Sequence, residues 1–338
     1  MQLLAVLDQT ITVAPTYNTE TTNPLVNGVP MYAIVAPFCN TEAGYRAFTN
    51  PKVNAALHKI FDEWARFLVS PASRNVLVTT PGGWFSPVAL QKQEDRLGTL
   101  FQDTWVSDLN KPHRGFQSWD DFFVRRFKEK VRETVDPYNA KAINTPCEAV
   151  QYRVATDVEA RDQFWLKDMP YSLDHILNHD PLASQLAGGT VYQAILSSLD
   201  YHRWHSPVGG RVVKTYVVPG TYFAALTDDV YDDMDVITRS IAFQTAICTR
   251  ALIFIESDNP DIGLLCFVGV GLVEISTTKL EVKEGDRITK GQEIGSFHFG
   301  GSTHLLVFRP ETKLKLTEGP TGEGVARKLG TVLFYVEN

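Results

Sequence analysis

Two hydrophobic rhythms divide the chain. Between residues 51 and 68, apolar side chains return at helical spacing: Val53, Leu57, Ile60, Phe61, Trp64, Phe67 and Leu68 form one stripe. Asn50 before it is a natural N-cap, and Pro51 suits a first helical turn, where a missing N–H is no loss. Ser86-Pro87 predicts a second helix running to Leu100. Ser118 with Asp121 reads as a capping box, followed by Phe122, Phe123 and Phe127. The aromatic residues here read as core.

From about residue 132 the rhythm shortens to that of strands. Valines, glycines and prolines become frequent, and strands are predicted over Arg211–Val218, Ala251–Glu256, Gly263–Ser276, Leu280–Val282, Glu293–Phe299 and Thr303–Phe308. One helix interrupts, from Ser172 to about Leu186. The expected fold class is therefore α+β, with a mainly helical domain over residues 1–131 and a β-rich domain over 132–338. The turn-into-strand Ser206–Val213 and the glycine-bent hairpin Lys283–Gln292 resemble the folded-over β-sandwich of biotinyl and lipoyl carrier domains. The carrier lysine of those domains, in a Met-Lys or Asp-Lys hairpin tip, is missing, which argues against carriage.

With 338 residues, 44% of them hydrophobic, the chain can bury a large core. Its formal charge of −7, without a basic run, argues against a nucleic-acid partner. No apolar stretch approaches the roughly 18 residues of a membrane span, so no integral membrane association is expected. The start, Met1–Asp8, lacks the basic flank of a signal peptide. Cys39, Cys147, Cys248 and Cys266 are scattered, which suits a reduced, cytoplasmic compartment. His175 and His179, one helical turn apart, could bind metal, but apolar neighbours explain that helix by packing alone. The acidic run Asp228–Asp235 could hold calcium; a solvated loop accounts for it better.

The chemistry concentrates in two places. Gly300-Gly301-Ser302-Thr303 stands between two strand-like runs. Such a tetrapeptide is commonly a turn. It can also be a self-cleaving site, because a serine hydroxyl can attack the carbonyl just upstream when that residue is a glycine without a Cβ. The second place is Tyr201-His202-Arg203-Trp204-His205-Ser206-Pro207, with two imidazoles three residues apart. A serine nucleophile needs a base of that kind.

Together, Tyr-His-Arg-x-His-x-Pro and Gly-Ser-Thr about a hundred residues later resemble the phosphatidylserine decarboxylase superfamily of self-cleaving pyruvoyl enzymes, over roughly residues 135–310. Gly115–Phe123, Asp162–Lys167 and Gly188–Ala194 are similar to a fungal branch that decarboxylates free aromatic amino acids. The N-terminal region looks like the soluble domain of that branch. The resemblance implies cleavage between Gly301 and Ser302, with Ser302 becoming the pyruvoyl group and no pyridoxal phosphate. It also implies that the long and short chains stay associated. By position, His205 would be the maturation base and His202 the group assisting proton transfer in decarboxylation. Glu148, in Thr145-Pro146-Cys147-Glu148-Ala149, would replace the family's turn aspartate and orient His205, or would be a plain turn residue. The implied substrate is a free aromatic L-amino acid, tryptophan to tryptamine first. The alternative is phosphatidylserine. Trp204 and His304 are candidate pocket residues, Trp204 equally a core residue. Two further readings compete: a zinc site of His202, His205 and His304, which lacks a carboxylate ligand, and a non-catalytic β-sandwich that would never cleave.

Overall fold

The computed structural model describes residues 5, 8–19, 27–161, 172–227, 236–274, 277–320 and 324–337. The stretch Asp162–Lys167 and the acidic run Asp228–Asp235 lie outside them.

The first part of the chain folds into helices α1 (Pro30–Cys39), α2 (Glu42–Phe48), α3 (Pro51–Leu68), α4 (Pro87–Leu97), α5 (Phe101–Thr104) and α6 (Trp119–Phe123). Their ends follow local chemistry. The Asn50 side chain accepts the Lys52 N–H at 2.9 Å and starts α3. Gly98, at φ 70°, stops α4 three residues before the predicted end at Leu100. Ser118 Oγ accepts the Asp121 N–H at 3.0 Å, and the Asp121 carboxylate accepts the Gln117 N–H at 2.9 Å, so the predicted cap closes one residue further out than a standard box.

The helix predicted over 172–186 is broken. It survives as α7 (Leu173–Ile176) and a 3-10 turn over Pro181–Gln185. Asn178 and His179 both take φ 55°, and Pro181 cannot continue a helix, so apolar spacing alone overstated its length. His179 instead contacts Asp174 through Nδ1 at 2.9 Å.

The β-rich part is built around one large antiparallel sheet. Its strands are β2 (Val150–Ala155), β3 (Thr190–Leu196), β5 (Gly210–Val218), β6 (Arg250–Ser257), β7 (Leu264–Leu272), β9 (Arg287–Ile288) and β11 (Gly301–Phe308). They lie in the order β2-β3-β11-β7-β6-β5-β9. Two three-stranded sheets join it. One orders β4 (Arg203–His205), β10 (Glu293–His298) and β8 (Thr277–Leu280) as β4-β10-β8, and the other orders β1 (Ala142–Asn144), β13 (Val332–Val336) and β12 (Leu314–Leu316) as β1-β13-β12. Helix α8 (Val236–Ile247) precedes β6.

Strand alternation assigns the two faces of the large sheet. Leu305 and Val307 of β11 share a core with Trp64, Trp119, Phe122 and Phe123 of the helices. Leu306 and Phe308 share a second core with Trp204, Phe297 and Phe334 of the small sheets. Every residue of β7 and β11 is buried, as central strands covered on both faces must be. The strand predicted over 263–276 ends at Leu272, because Val273 turns to φ 60°. The mixed α+β class is observed. All four cysteines are buried and free.

Candidate active site

Ser302 is the second residue of β11, opposite Leu196 of β3 and Gly271 of β7. It is fully buried, and its Oγ meets no hydrogen-bonding group among the described residues. Before it the chain turns sharply: Phe299 has φ 59° and Gly300 φ 126°. Only glycine fits at position 300, since a Cβ there would lie 2.6 Å from the Glu274 carbonyl oxygen. Val273, at φ 60°, forms the facing corner. Two bulky residues in the left-handed region, on both sides of one contact, store backbone strain next to the Gly301–Ser302 bond.

His205, in β4, is held at both nitrogens. Nδ1 lies 2.8 Å from the Gly291 carbonyl oxygen and Nε2 3.0 Å from the Tyr201 hydroxyl. A carbonyl only accepts, so the proton sits on Nδ1 and Nε2 accepts from Tyr201. Burial lowers the His205 pKa, while Gly291 and Glu293 act against burial. His205 is thus a neutral imidazole whose basic nitrogen is occupied by a hydroxyl.

Glu148 does not serve His205 in this geometry. Its carboxylate is gripped by Arg132, and Oε2 also accepts the Leu329 N–H at 3.2 Å. The guanidinium fork matches a carboxylate better than one imidazole N–H can. Glu148 is therefore more than a turn residue, but its contact is with Arg132.

His202 is fully buried. Its ring lies 3.8 Å from that of Phe123 at 17°, and Nδ1 is 3.4 Å from the Phe123 carbonyl oxygen. Nε2 makes no well-formed hydrogen bond among the described residues, although the Ser197 backbone, like that of Phe123, lies near enough to act against burial. Burial holds its pKa well below the usual histidine range, and the nearby Arg125 and His298 push the same way.

His304 follows Ser302 by two residues, so both side chains project from the same sheet face. Its ring stacks with Phe267 at 5.9 Å, neither nitrogen meets a hydrogen-bonding group among the described residues, and burial pushes its pKa down to about 3. Trp204 lies between the sheets against Gly269 and Gly295, and its ring packs 4.6 Å from that of Phe297. Its surroundings are those of a core residue. Among the described residues, no three His, Cys, Asp or Glu side chains gather as a metal site would require.

Sequence reasoning missed a second imidazole centre. His298 Nδ1 lies 2.9 Å from Asp120 Oδ1, and its Nε2 lies 3.1 Å from Ser296 Oγ. Asp120 comes from α6, so the helical part reaches into the β-rich site. His298 stands four residues before Ser302, and that proximity was the available signal. Also missed was Glu274, a fully buried carboxyl whose Oε2 accepts the Tyr32 N–H at 2.7 Å at the start of α1. Burial raises its pKa well above the usual range, outweighing the Tyr32 and Met31 N–H groups.

The comparisons with known proteins show the family. The family model described as phosphatidylserine decarboxylase matches residues 119–326, and a second model for the same enzyme matches residues 1–93. Decarboxylase iboD of Amanita muscaria is 43% identical over 303 residues, covering 86% of this chain and 87% of that protein. The L-tryptophan decarboxylase of Psilocybe cubensis is 38% identical over 323 residues, covering 90% of this chain and 73% of that one. Phosphatidylserine decarboxylase proenzyme 3 of Schizosaccharomyces pombe is 28% identical over 212 residues, covering 62% of this chain and 21% of its own length. No helix among the described residues is long and apolar enough to cross a membrane. The chain belongs to the phosphatidylserine decarboxylase family and is a carboxy-lyase.

Proposed function

We propose that the chain is a proenzyme that cuts itself between Gly301 and Ser302 and then decarboxylates a free aromatic L-amino acid, tryptophan to tryptamine first. The observation that carries the reading is Ser302 itself: buried, its hydroxyl without a hydrogen-bond partner among the described residues, behind the strained Phe299–Gly300 corner. These residues fit a pyruvoyl precursor. In cleavage, a base takes the Oγ proton, the Oγ–carbonyl bond to Gly301 forms, and the Gly301–Ser302 C–N bond breaks with the nitrogen protonated. Loss of the Ser302 Cα proton then expels the Gly301 carboxylate and leaves dehydroalanine. Water and departure of ammonia convert that to pyruvoyl. His205 is the base in this reading, once its Nε2 exchanges Tyr201 for Ser302, and relief of the corner strain favours the forward direction.

When present, the pyruvoyl group supplies the electron sink for loss of carbon dioxide. The chain's own residues do the rest. His202, neutral and with no well-formed hydrogen bond at Nε2 among the described residues, is the group we assign to move a proton at the substrate Cα. Beside the scissile corner, Trp64, Leu68, Trp119 and Phe299 pack closely with Glu274 and would have to part to admit a ring; apolar aromatic surroundings of that kind solvate a carboxylate poorly and favour its loss. The names of the Psilocybe relatives support tryptophan.

The test has two arms. Purified protein run on a denaturing gel should show two chains, and Ser302→Ala one band near 37.8 kDa. Cleaved protein should release amine from tryptophan, phenylalanine or tyrosine. Conversion of phosphatidylserine in detergent micelles, with no amine from any of the three, would move the assignment to the lipid.

A further inference from the structure

Helix α6 meets the scissile corner and the neighbouring histidine through one face. Trp119 stacks with Phe299 at 6.4 Å and 15°. Phe123, one turn on, stacks with His202. Between them Asp120 reaches His298 at 2.9 Å. His298 is the last residue of β10, immediately before the left-handed Phe299 and Gly300, and its ring centre is 5.6 Å from that of Phe299. The helix is itself fixed: Ser118 caps it, and the Trp119 N–H donates to Ser73 Oγ at 2.8 Å.

We propose that Asp120 and His298 are a positioning pair for self-cleavage, tying the end of β10 to α6 and so holding the Phe299–Gly300 corner from which Gly301 enters β11. The inference rests on the cleavage reading above. Its chemistry is that of an oriented imidazole. The Asp120 carboxylate only accepts, so it fixes the His298 proton on Nδ1, and Nε2 then faces Ser296 Oγ. Both ends of the ring are thereby held, and rotation about its side-chain bonds is blocked. The tie also has a geometric reason. Phe299 at φ 59° and Gly300 at φ 126° would relax toward commoner backbone angles if β10 were released. Helix α6 and β10 lie far apart in sequence, so the Asp120–His298 bond constrains the corner from outside its own strand. An apolar contact there would fill space without fixing direction. The carboxylate–imidazole–hydroxyl order is the one the sequence resemblance led us to expect around Glu148 and His205, and it occurs here on different residues.

The experiment follows precursor conversion in cell-free translation, by gel, for the full chain and for Asp120→Ala, Asp120→Asn and His298→Ala. The asparagine keeps an oxygen that accepts the His298 N–H, so it is the rescuing variant. Asp120→Ala and His298→Ala should convert at least tenfold more slowly than the parent, and Asp120→Asn within about threefold of it. Nitrogen NMR of the histidine rings, on the uncleavable Ser302→Ala precursor, should show the Nδ1–H tautomer at His298, and loss of that signature when Asp120→Ala is added. Parent-rate cleavage in Asp120→Ala or His298→Ala overturns the pair, and so does an Nε2–H tautomer at His298. The NMR arm decides even if an alanine variant of the cleavable chain fails to fold. A parent that never yields two chains sinks the cleavage reading itself; a parent that cleaves beside an Asp120→Ala variant cleaving equally fast removes only the pair.

Discussion

Glu148 and Arg132 form a two-pronged ion pair, Nε to Oε2 at 2.5 Å and Nη2 to Oε1 at 2.7 Å, with both side chains under a tenth exposed. Removing one partner of such a pair strands the other charge, at a cost of about 3–5 kcal/mol. On the uncleavable Ser302→Ala background, Glu148→Gln should therefore unfold at clearly lower temperature than its parent. Self-cleavage in the otherwise native chain should persist under conditions where the variant is folded. A Glu148→Gln protein that is as stable as its parent but does not cleave would place the carboxylate in the chemistry after all.

The Tyr201–His205 bond yields a second prediction. Because Nδ1 donates to Gly291, the Tyr201 hydroxyl occupies the only basic nitrogen of His205. Tyr201→Phe releases that nitrogen and should leave cleavage at least as fast as in the parent. His205→Ala should accumulate precursor. Burial lowers the His205 pKa, so the neutral base persists below the usual histidine midpoint, and the cleavage rate should stay level as pH falls from 8 to about 6.5. A rate already falling across that range, or efficient cleavage by His205→Ala, would remove His205 as the base.

His304 gives a stability prediction whose sign follows from linkage. Its folded pKa is about 3 against an ordinary 6.5, so between those values the unfolded chain binds the proton and the folded one does not. The contribution is fully present above pH 6.5 and is lost as pH falls toward 3. On the Ser302→Ala background, His304→Leu should match or exceed its parent in stability at pH 7.5, since a buried polar ring without protein hydrogen bonds is replaced by an apolar one. The gap should widen by roughly 1 kcal/mol per pH unit below 6.5. Denaturant titrations from pH 7.5 to 4.5 measure it, and parallel curves would show that His304 is protonated inside the fold.

The elements most legible in the sequence were those with strong local signals. Asn50-Pro51 and its apolar stripe marked α3, and the alternation around Leu305–Phe308 marked β11, because both are set by neighbours in the chain. The helix expected at 172–186 failed because apolar spacing was weighed above Pro181. Gly300, Gly301, Ser302, His202 and His205 stood out by residue type and order. Asp120, His298 and Arg132 did not, because their roles depend on contacts between segments far apart in sequence: α6 with β10, and residue 132 with 148. Trp204 showed the converse problem, since its place between two histidines in sequence says nothing of the Gly269 and Gly295 gaps that receive its ring.

Substrate choice is the last prediction. Chemistry at a pyruvoyl group requires only a primary amine next to a carboxylate, so selection among amino acids must come from the walls around position 302. The side chains packed beside the scissile corner are Trp64, Trp119 and Phe299 with a single polar one, Glu274, and a substrate ring would enter by parting them. Each methylene of apolar contact shifts discrimination by roughly 1–3 kcal/mol. An indole should therefore be preferred over the side chains of alanine or serine by several orders of magnitude in kcat/KM, whereas tryptophan should exceed phenylalanine by a smaller margin. Trp119→Ala, measured on protein shown by gel to be cleaved, should raise KM for tryptophan more than for alanine, because the contact it removes is with the ring. Phenylhydrazine should stop turnover by capturing the ketone, and added pyridoxal phosphate should change nothing. Equal kcat/KM for tryptophan and alanine in the cleaved parent would show that the aromatic walls do not face the substrate.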